Sequence, residues 1–310
     1  MPPGSFRPCF TVPKFFSPVA WAGTMREPAA QRVPAMLLPP NAFVLSVVVT
    51  AAMSNGPLVA NEKDDAKVVR RRTENVEAIR LYTVELEKNP KNATAFVIRG
   101  NCHLQLGELD SAAGDTNEAM SDYDMAIADY GEAIRLVPKF AAAYHNRGTA
   151  WRGKFEFDKS IADYDEAIRL GSKDVLTYIC RGASWEAKGG FDQALSDYDE
   201  AILIDPKSKV AHKKRAWIHA TCTDDRYRDG AKAVEDATKA CYWTNWKSPY
   251  SPDPDCPGTL AAAYAEAGQF DKAVEWQEKA IDLARDNDDF KTRLKLYQAG
   301  KPYREGPGKK

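Results

Sequence analysis

A short string that recurs at a fixed interval constrains the fold of this chain more than any other feature. DYGEAI begins at Asp129, and DYDEAI begins at Asp163 and again at Asp197, which gives a period of 34 residues. A fixed period of this length is the signature of stacked supersecondary units, so the sequence predicts a repeat array. The same period relates Tyr123, Phe157 and Phe191; Tyr144, Tyr178 and His212; Arg147, Arg181 and Arg215; and Trp151, Trp185 and His219.

Each repeat unit is predicted to contain two helices. Tyr144, Gly148 and Trp151 share one helical face at spacings of four and three residues. One hairpin cannot bury its apolar stripe alone, so neighbouring hairpins are expected to stack, and the predicted fold class is all-α. The stripe of the second helix in this unit is formed by Phe157, Ile161, Tyr164 and Ile168.

Three kinds of position carry a resemblance to a known repeat family. A small residue occupies the first helix, an aromatic–acid pair opens the second helix, and an alanine closes it. Over roughly residues 74–284 the pattern resembles the tetratricopeptide repeat (TPR). The resemblance implies a right-handed solenoid of stacked helix–turn–helix hairpins with helical caps. The matching positions are Gly100, Gly148, Gly182 and Ala216; Tyr123-Asp124, Phe157-Asp158, Phe191-Asp192 and Phe270-Asp271; and Ala133, Ala167, Ala201 and Ala280.

The repeats and the segments around them define the expected organisation of the chain. In the segment before the first full repeat, a polar capping helix at 61–72 is expected ahead of a repeat helix at 76–88. The parts are a proline-rich segment (1–60), an N-terminal capping helix with a half repeat (61–91), a TPR with an insertion (92–138), two TPRs (141–174 and 175–208), a variant TPR-like hairpin (209–246), a proline-rich linker (247–258), the last TPR hairpin (259–286), a C-terminal capping helix begun by Asn287 (287–300) and a tail (301–310).

The insertion of about 14 residues lies near 108–121, because Pro90 and Pro138 are 48 residues apart instead of 34. Gly114 favours a break there, with Asp115 capping the helix that follows. We therefore expect a protruding loop or a short extra helical turn. The alternative is one extended helix, since 14 residues are nearly four turns.

The N-terminal segment points to export. Residues 1–60 hold 10 of the 19 prolines, and residues 42–52 form an apolar run of 11, a length typical of a signal peptide and too short to span a membrane. Met25 or Met36 would then be the start. The C-terminal segments also resemble those of a group of bacterial TPR proteins that are often exported. The expected location is periplasmic or extracellular; the alternatives are a disordered tail in a cytoplasmic protein and an organelle transit peptide.

Composition and motifs indicate no catalytic chemistry. The formal net charge of −1 excludes a strongly basic nucleic-acid binder, and no phosphate loop or nucleophile motif is present. His219 and Cys222 form at most half a metal site, and packing is the favoured role. The recurring acids of the DYDEAI strings, such as Asp163 and Asp165, are interpreted as a solvated helix face. No cofactor, metal or small-molecule substrate is expected.

The six cysteines are interpreted mainly as free thiols. Cys102 and Cys180 fall at helical repeat positions, where cysteine acts as a small buried hydrophobe. Cys222 and Cys241 are expected to be too far apart to bond. Only Cys241 and Cys256 are sterically open to a disulfide.

Partner binding is assigned to the concave groove of the array, which first helices line in a repeat solenoid. No strong clamp for a peptide carboxyl terminus is expected, because Val97, Leu176 and Cys180 stand where such a clamp needs basic or polar residues. The expected partner is a protein or peptide. The predicted lining is Asn101, His145, Asn146, Thr149, Arg152, Ile179, Glu186, Lys213 and Trp217.

A second candidate surface is the aromatic loop of Trp243, Trp246 and Tyr250, for which packing between the last two hairpins is the favoured alternative. The leading functional hypothesis is a non-catalytic interaction scaffold. The alternatives are a structural homo-oligomer and, less favoured, a thiol or metal-dependent enzyme hidden in the array.

Overall fold

A computed structural model of the chain describes residues 65–244, 253–284 and 287–306, all within the unit Val44–Lys310. The candidate signal peptide, Trp246 and Tyr250 lie outside these ranges. None of the described helices is long and apolar enough to cross a membrane. The described helices are α1 (Asp65–Lys88), α2 (Ala93–Ala113), α3 (Thr116–Leu136), α4 (Ala141–Gly153), α5 (Phe157–Arg169), α6 (Val175–Lys188), α7 (Phe191–Ile204), α8 (Lys209–Thr221), α9 (Gly230–Trp243), α10 (Asp255–Glu266), α11 (Phe270–Leu283) and α12 (Asp288–Gln298), with a 3-10 turn at Asp225–Tyr227.

Successive helices pair into hairpins, and successive hairpins stack. The hairpins are α2–α3, α4–α5, α6–α7, α8–α9 and α10–α11, while α1 packs on α2 and α12 packs on α11. Glycine allows the two helices of a hairpin to approach closely. A Cβ atom on Gly148 would lie 3.0 Å from the buried Tyr164 ring, and one on Gly182 would lie 2.8 Å from the Tyr198 ring. The all-α solenoid predicted from the repeat is confirmed.

In four of the five described hairpins, α10–α11 being the exception, an arginine on the first helix pairs with a buried aspartate on the second. The acids of the DYDEAI strings were expected on a solvated face; the structure buries Asp163, whereas Asp165 is 55% exposed. The acid at the start of each DYDEAI string thus joins the two helices of its hairpin through an ion pair, because a guanidinium neutralises its charge. The pairs are Arg99–Asp129 (2.6 Å), Arg147–Asp163 (2.7 Å), Arg181–Asp197 (2.6 Å) and Arg215–Asp236 (2.7 Å).

The N-terminal helix is continuous. The sequence predicts a capping helix followed by a separate repeat helix, whereas in the structure α1 runs unbroken for 24 residues. No glycine or proline lies between Asp65 and Lys88, so no residue interrupts the helix. Arg72 of this helix forms an ion pair with Asp110 of α2, which attaches α1 to the first hairpin.

The insertion lengthens both helices of one hairpin. Helices α2 and α3 each have 21 residues, whereas α4 and α5 each have 13. The break at Gly114 is present, with φ of 85°. Of the two expected forms of the insertion, the protruding loop is wrong, and the added residues form helical turns instead. The added turns remain helical because they bury an apolar face of their own, which includes Leu106, Leu109, Ala119 and Tyr123.

The C-terminal hairpins differ from the expected boundaries at one point. Helix α10 begins at Asp255, inside the expected linker, and Pro257 lies in its first turn, where proline is tolerated. Cys241 and Cys256 form a disulfide between α9 and α10, with Cα atoms 5.5 Å apart. Asn287 caps α12 as predicted, since its side chain accepts a hydrogen bond from the Phe290 amide.

Candidate partner-binding groove

A cavity of about 390 Å³ opens between the first helices of three successive hairpins, α4, α6 and α8. Their C-terminal halves contribute Arg152, Glu186 and Trp217, which the sequence assigned to the groove. The structure brings these three residues together around one space. The rest of the wall is formed by further residues of α6 and α8, by the first residues of α5 and α7, by Phe155 of the α4–α5 turn, and by Glu305 and Gly306 of the C-terminal segment.

An exposed aromatic residue lies at the mouth of the cavity in a strained backbone conformation. Phe155 has φ of 61° and is 47% exposed. Gly189 and Gly268 occupy the equivalent turns of two other hairpins, with φ of 81° and 72°. A bulky residue in the left-handed region costs free energy, and such strain concentrates at functional sites. The Phe155 ring meets Phe157 edge-on, with centroids 6.3 Å apart, so two aromatic rings border the opening.

The inner wall of the cavity carries an unused hydrogen-bond donor. Nε of Arg152 is buried and has no hydrogen-bond partner among the described residues. The nearby carboxylate of Glu186 is already engaged, because it accepts from the Tyr198 hydroxyl at 2.7 Å and lies 3.5 Å from Lys214 Nζ. The guanidinium also interacts with the Tyr164 hydroxyl, so Nε is the part of this group left without a partner in the described part of the chain.

Burial also changes the protonation of Glu108, a carboxyl group that interacts with the charge of Arg152. Burial raises the pKa of Glu108 to about 7, although the positive charge of Arg152 acts in the opposite direction. Near neutral pH this carboxyl is therefore partly protonated and leaves the Arg152 charge only partly balanced.

Residues 66–120 and 113–175 match one tetratricopeptide repeat model, and residues 258–287 match another. The chain contains tetratricopeptide repeats. No curated protein matches it by sequence. TPR arrays are typically non-catalytic and present surfaces that bind proteins or peptides.

Several solved structures are similar to this chain. Cut9–Hcn1, a hetero-tetramer of the APC/C, gives a TM-score of 0.50 at 15% identity, covering 74% of this chain and 47% of that one. YrrB, a TPR protein with an unusual peptide-binding site, gives 0.49 at 19% identity, covering 69% and 98%. A TPR protein from Parabacteroides merdae gives 0.49 at 20% identity, covering 82% and 92%. At these identities the similarity concerns the fold alone.

Three predicted groove residues lie inside the TPR array. Asn101 and Asn146 are each 4% exposed, and Asn146 Nδ2 donates to Asn101 Oδ1 at 2.8 Å. Tyr130 donates to the same oxygen at 2.7 Å, so these amides join α2, α3 and α4. Ile179 is buried in the hydrophobic core. The expectation that these side chains line an open surface is corrected, because a first helix turns one face to the groove and another to the next hairpin.

Three further predicted residues make contacts between helices. His145 Nδ1 lies 2.9 Å from Thr177 Oγ1, and the hydroxyls of Thr149 and Tyr164 are 3.0 Å apart. Lys213 reaches toward Asp253 at 3.6 Å and Asp255 at 3.7 Å, instead of into the cavity. Its neighbour Lys214 lines the cavity.

The sequence missed Phe155, Phe157 and Phe191 as lining residues. Phe155 carried a usable signal, since a phenylalanine stands where the period places Gly189. Trp243 of the predicted aromatic loop is half-buried, with its ring 5.2 Å from that of His212. This contact agrees with the packing alternative for Trp243.

The described part of the TPR array contains no cluster of His, Cys, Asp and Glu that could hold a metal ion. His219, the candidate half site, donates from Nδ1 to the Tyr227 carbonyl at 2.7 Å. Burial, together with the charge of Asp129, raises the pKa of the Cys102 thiol to about 12, and burial also raises the pKa of Cys180 and Cys222. Thiols of this kind are poor nucleophiles because the thiolate is scarce.

Slow alkylation of these three cysteines is the expected result of this burial. A short pulse of iodoacetamide at neutral pH should leave Cys102, Cys180 and Cys222 largely unmodified in the folded protein, as measured by peptide mapping with mass spectrometry. The same pulse in urea should label all three. Rapid labelling of any one of them in the folded protein would support the thiol-enzyme alternative instead.

Proposed function

We propose that this protein is a non-catalytic scaffold that holds a segment of a partner protein in the cavity between α4, α6 and α8. The observation that carries the proposal is that two residues line the same cavity: Arg152, whose buried Nε has no hydrogen-bond partner among the described residues, and the exposed Phe155. A polar anchor beside aromatic surface is the usual composition of a recognition site. The partner group expected at Arg152 is a carboxylate or a backbone carbonyl.

Export to an oxidising compartment is part of the proposal. The disulfide between Cys241 and Cys256 supports it, because disulfides are rare in reducing compartments. Fractionation of the source cells would test it: recovery of the protein with the reduced cytoplasmic fraction would contradict export without affecting the scaffold proposal.

The scaffold proposal is tested by affinity capture with two double variants of the full chain. Lys214→Ala with Phe155→Ala removes one lysine and one exposed hydrophobic side chain from the cavity. Lys207→Ala with Leu203→Ala removes the same kinds of group from residues that do not line it, where Leu203 is 73% exposed. A partner lost only with the first variant supports the proposal. Equal recovery with both variants contradicts it, and size measurement across concentration would then test self-association.

The strain at Phe155 predicts that two substitutions differ in their effect on stability but not in their effect on binding. Phe155→Gly should be about 0.5–1 kcal/mol more stable than Phe155→Ala, because glycine adopts positive φ at no steric cost and alanine does not. Both variants remove the ring, so both should lose the captured partner to the same extent. Urea unfolding measures the first effect, and the capture assay measures the second. Equal stability of the two variants would contradict the strain.

A further inference from the structure

The segment after α12 returns to the groove. Residues 303–306 lie against the C-terminal end of α8, where Glu305 N donates to the Thr221 carbonyl at 2.8 Å. Cys222 and Glu305 also form an isolated parallel β-bridge. Glu305 and Gly306 then reach the cavity wall. The segment, expected from the sequence to be a simple tail, thus occupies one end of the candidate groove.

Consecutive side chains of this segment each have a separate partner, on α8 at the edge of the groove or on the neighbouring α10. The carboxylate of Glu305 accepts a hydrogen bond from Trp217 Nε1 at 2.5 Å. Arg304 forms an ion pair with Glu266 at 2.6 Å and donates to the Ala220 carbonyl at 3.3 Å. The Trp217 indole, which the sequence assigned to partner binding, is therefore engaged by the chain itself.

The aromatic residue of the segment completes the contact. The ring of Tyr303 lies 6.1 Å from that of Trp217, and the guanidinium of Arg293 lies 4.9 Å from Tyr303 and 4.8 Å from Trp217. A cation held beside two aromatic rings is a favourable arrangement. The segment thus makes three kinds of contact in successive positions: a ring contact at Tyr303, an ion pair at Arg304 and a charged hydrogen bond at Glu305.

The backbone contact explains why this end of α8 accepts a peptide. The last carbonyls of a helix lack partners within the helix. At α8 the Ala220 and Thr221 carbonyls are satisfied by Arg304 and by the Glu305 amide, whereas the Cys222 carbonyl accepts from Arg228. Any non-helical segment with the right side chains can offer the same amide and guanidinium donors.

We propose that residues 303–306 are an internal ligand of the groove, and that the partner segment which displaces them carries an aromatic, an arginine and a carboxylate side chain in consecutive positions. The proposal rests on the scaffold function and specifies its partner. Beyond Glu305 and Gly306 the cavity continues toward Arg152 and Phe155, so a longer partner segment gains contacts that the internal ligand does not make.

Tethering makes the internal ligand an effective competitor. A segment joined to its site by a short linker acts at an effective concentration in the millimolar range, and the apparent affinity of an added ligand falls with the fraction of sites left open. Weakening the internal contacts should therefore expose the site. Side-chain contacts at a half-exposed segment stabilise the fold only modestly, so their removal should leave the array folded.

The test uses a fluorescently labelled, end-blocked peptide with the sequence of residues 301–306, KPYREG, and three full-length proteins. The variant Arg304→Ala with Glu305→Ala should bind the peptide roughly tenfold or more tightly than the wild-type chain, as measured by anisotropy. Lys301→Ala, which alters an exposed side chain of the same segment, should bind like wild type. A peptide with alanine in place of its own arginine and glutamate should bind neither protein.

Equal affinity of the wild-type and double-variant chains for KPYREG would overturn the proposal. If the double variant fails to fold by circular dichroism, hydrogen exchange on the wild-type chain decides: saturating peptide should speed exchange of the Glu305 amide roughly tenfold. Unchanged exchange overturns the proposal. A concentration-dependent dimer that the double variant loses would assign the site to a second copy of this chain and would also overturn it.

The two proposals fail in different ways. Loss of the captured partner with Lys214→Ala and Phe155→Ala, together with equal peptide affinities, would preserve the scaffold function and reject the internal ligand. Equal capture by both cavity and control variants would reject the scaffold function itself.

Discussion

Replacing Asp236 with alanine is expected to lower the free energy of unfolding by about 3–5 kcal/mol. Asp236 of α9 is 2% exposed and accepts two hydrogen bonds from Arg215, both at 2.7 Å, and one from His212 Nδ1 at 2.8 Å. The substitution leaves the Arg215 guanidinium without its buried counter-charge. Urea unfolding followed by circular dichroism measures the loss.

Asp199→Ala provides the matched control. Asp199 also pairs with Arg215, at 2.5 Å, but its side chain is 61% exposed. Water screens such a pair, so the expected loss is less than about 1 kcal/mol. Equal losses from the two substitutions would show that the buried pair has no special role in holding α8 against α9.

The same aspartate predicts the direction of one pH effect. Burial by itself would raise the pKa of Asp236, but hydrogen bonds from His212 and Arg215 outweigh it and hold the pKa at about 2, below the ordinary 3.8. The stabilisation is therefore complete above about pH 4 and is lost as the pH falls toward 2. The stability difference between wild type and Asp236→Asn should shrink over that range.

Gly230→Ala is expected to destabilise the C-terminal half of the array by about 1–3 kcal/mol or more. A Cβ atom at this position would lie 2.7 Å from the Ala267 nitrogen and 2.9 Å from the Glu266 carbonyl carbon. Both contacts are to backbone, which cannot rotate away as a side chain can. The start of α9 and the end of α10 would have to separate, and thermal unfolding should report a lower Tm.

The control for this substitution is Gly131→Ala in the middle of α3. Apart from its chain neighbours and the backbone of its own helix, no atom lies within 4 Å of a Cβ built there, and the backbone is helical. Alanine should therefore raise stability by about 0.5–1 kcal/mol. A Tm for Gly230→Ala at or above that of wild type would contradict the close approach of α9 and α10.

The repeat period predicted the hairpins because each column imposes the same packing requirement. Gly148 and Gly182 recur because the Tyr164 and Tyr198 rings need the space of a missing Cβ. The period also aligned the arginines with the aspartates of the DYDEAI strings, but it did not say that they meet. A charged residue at helical spacing is compatible with solvent or with a buried partner, and only the packed structure distinguishes the two.

The candidate site was only partly predictable because its parts are distant in sequence. Arg152, Glu186 and Trp217 follow from the face of the first helices. Trp217 and Glu305, which form a hydrogen bond, are 88 residues apart in the sequence. No local sequence pattern predicts that the C-terminal segment folds back onto α8. The position of the insertion was predicted, since Gly114 marks the break, but its form was not, because the helical turns gained on each side depend on buried contacts of α2 and α3.

The returning C-terminal segment changes how the array is expected to come apart. In a linear solenoid each unit touches only its neighbours, so unfolding can fray inward from either end. Here Arg304 and Glu305 connect the chain beyond α12 to α8 and α10, and the disulfide joins α9 to α10. Helices α8 to α12 therefore form one closed, cooperative block, and fraying begins at the opposite end, from α1.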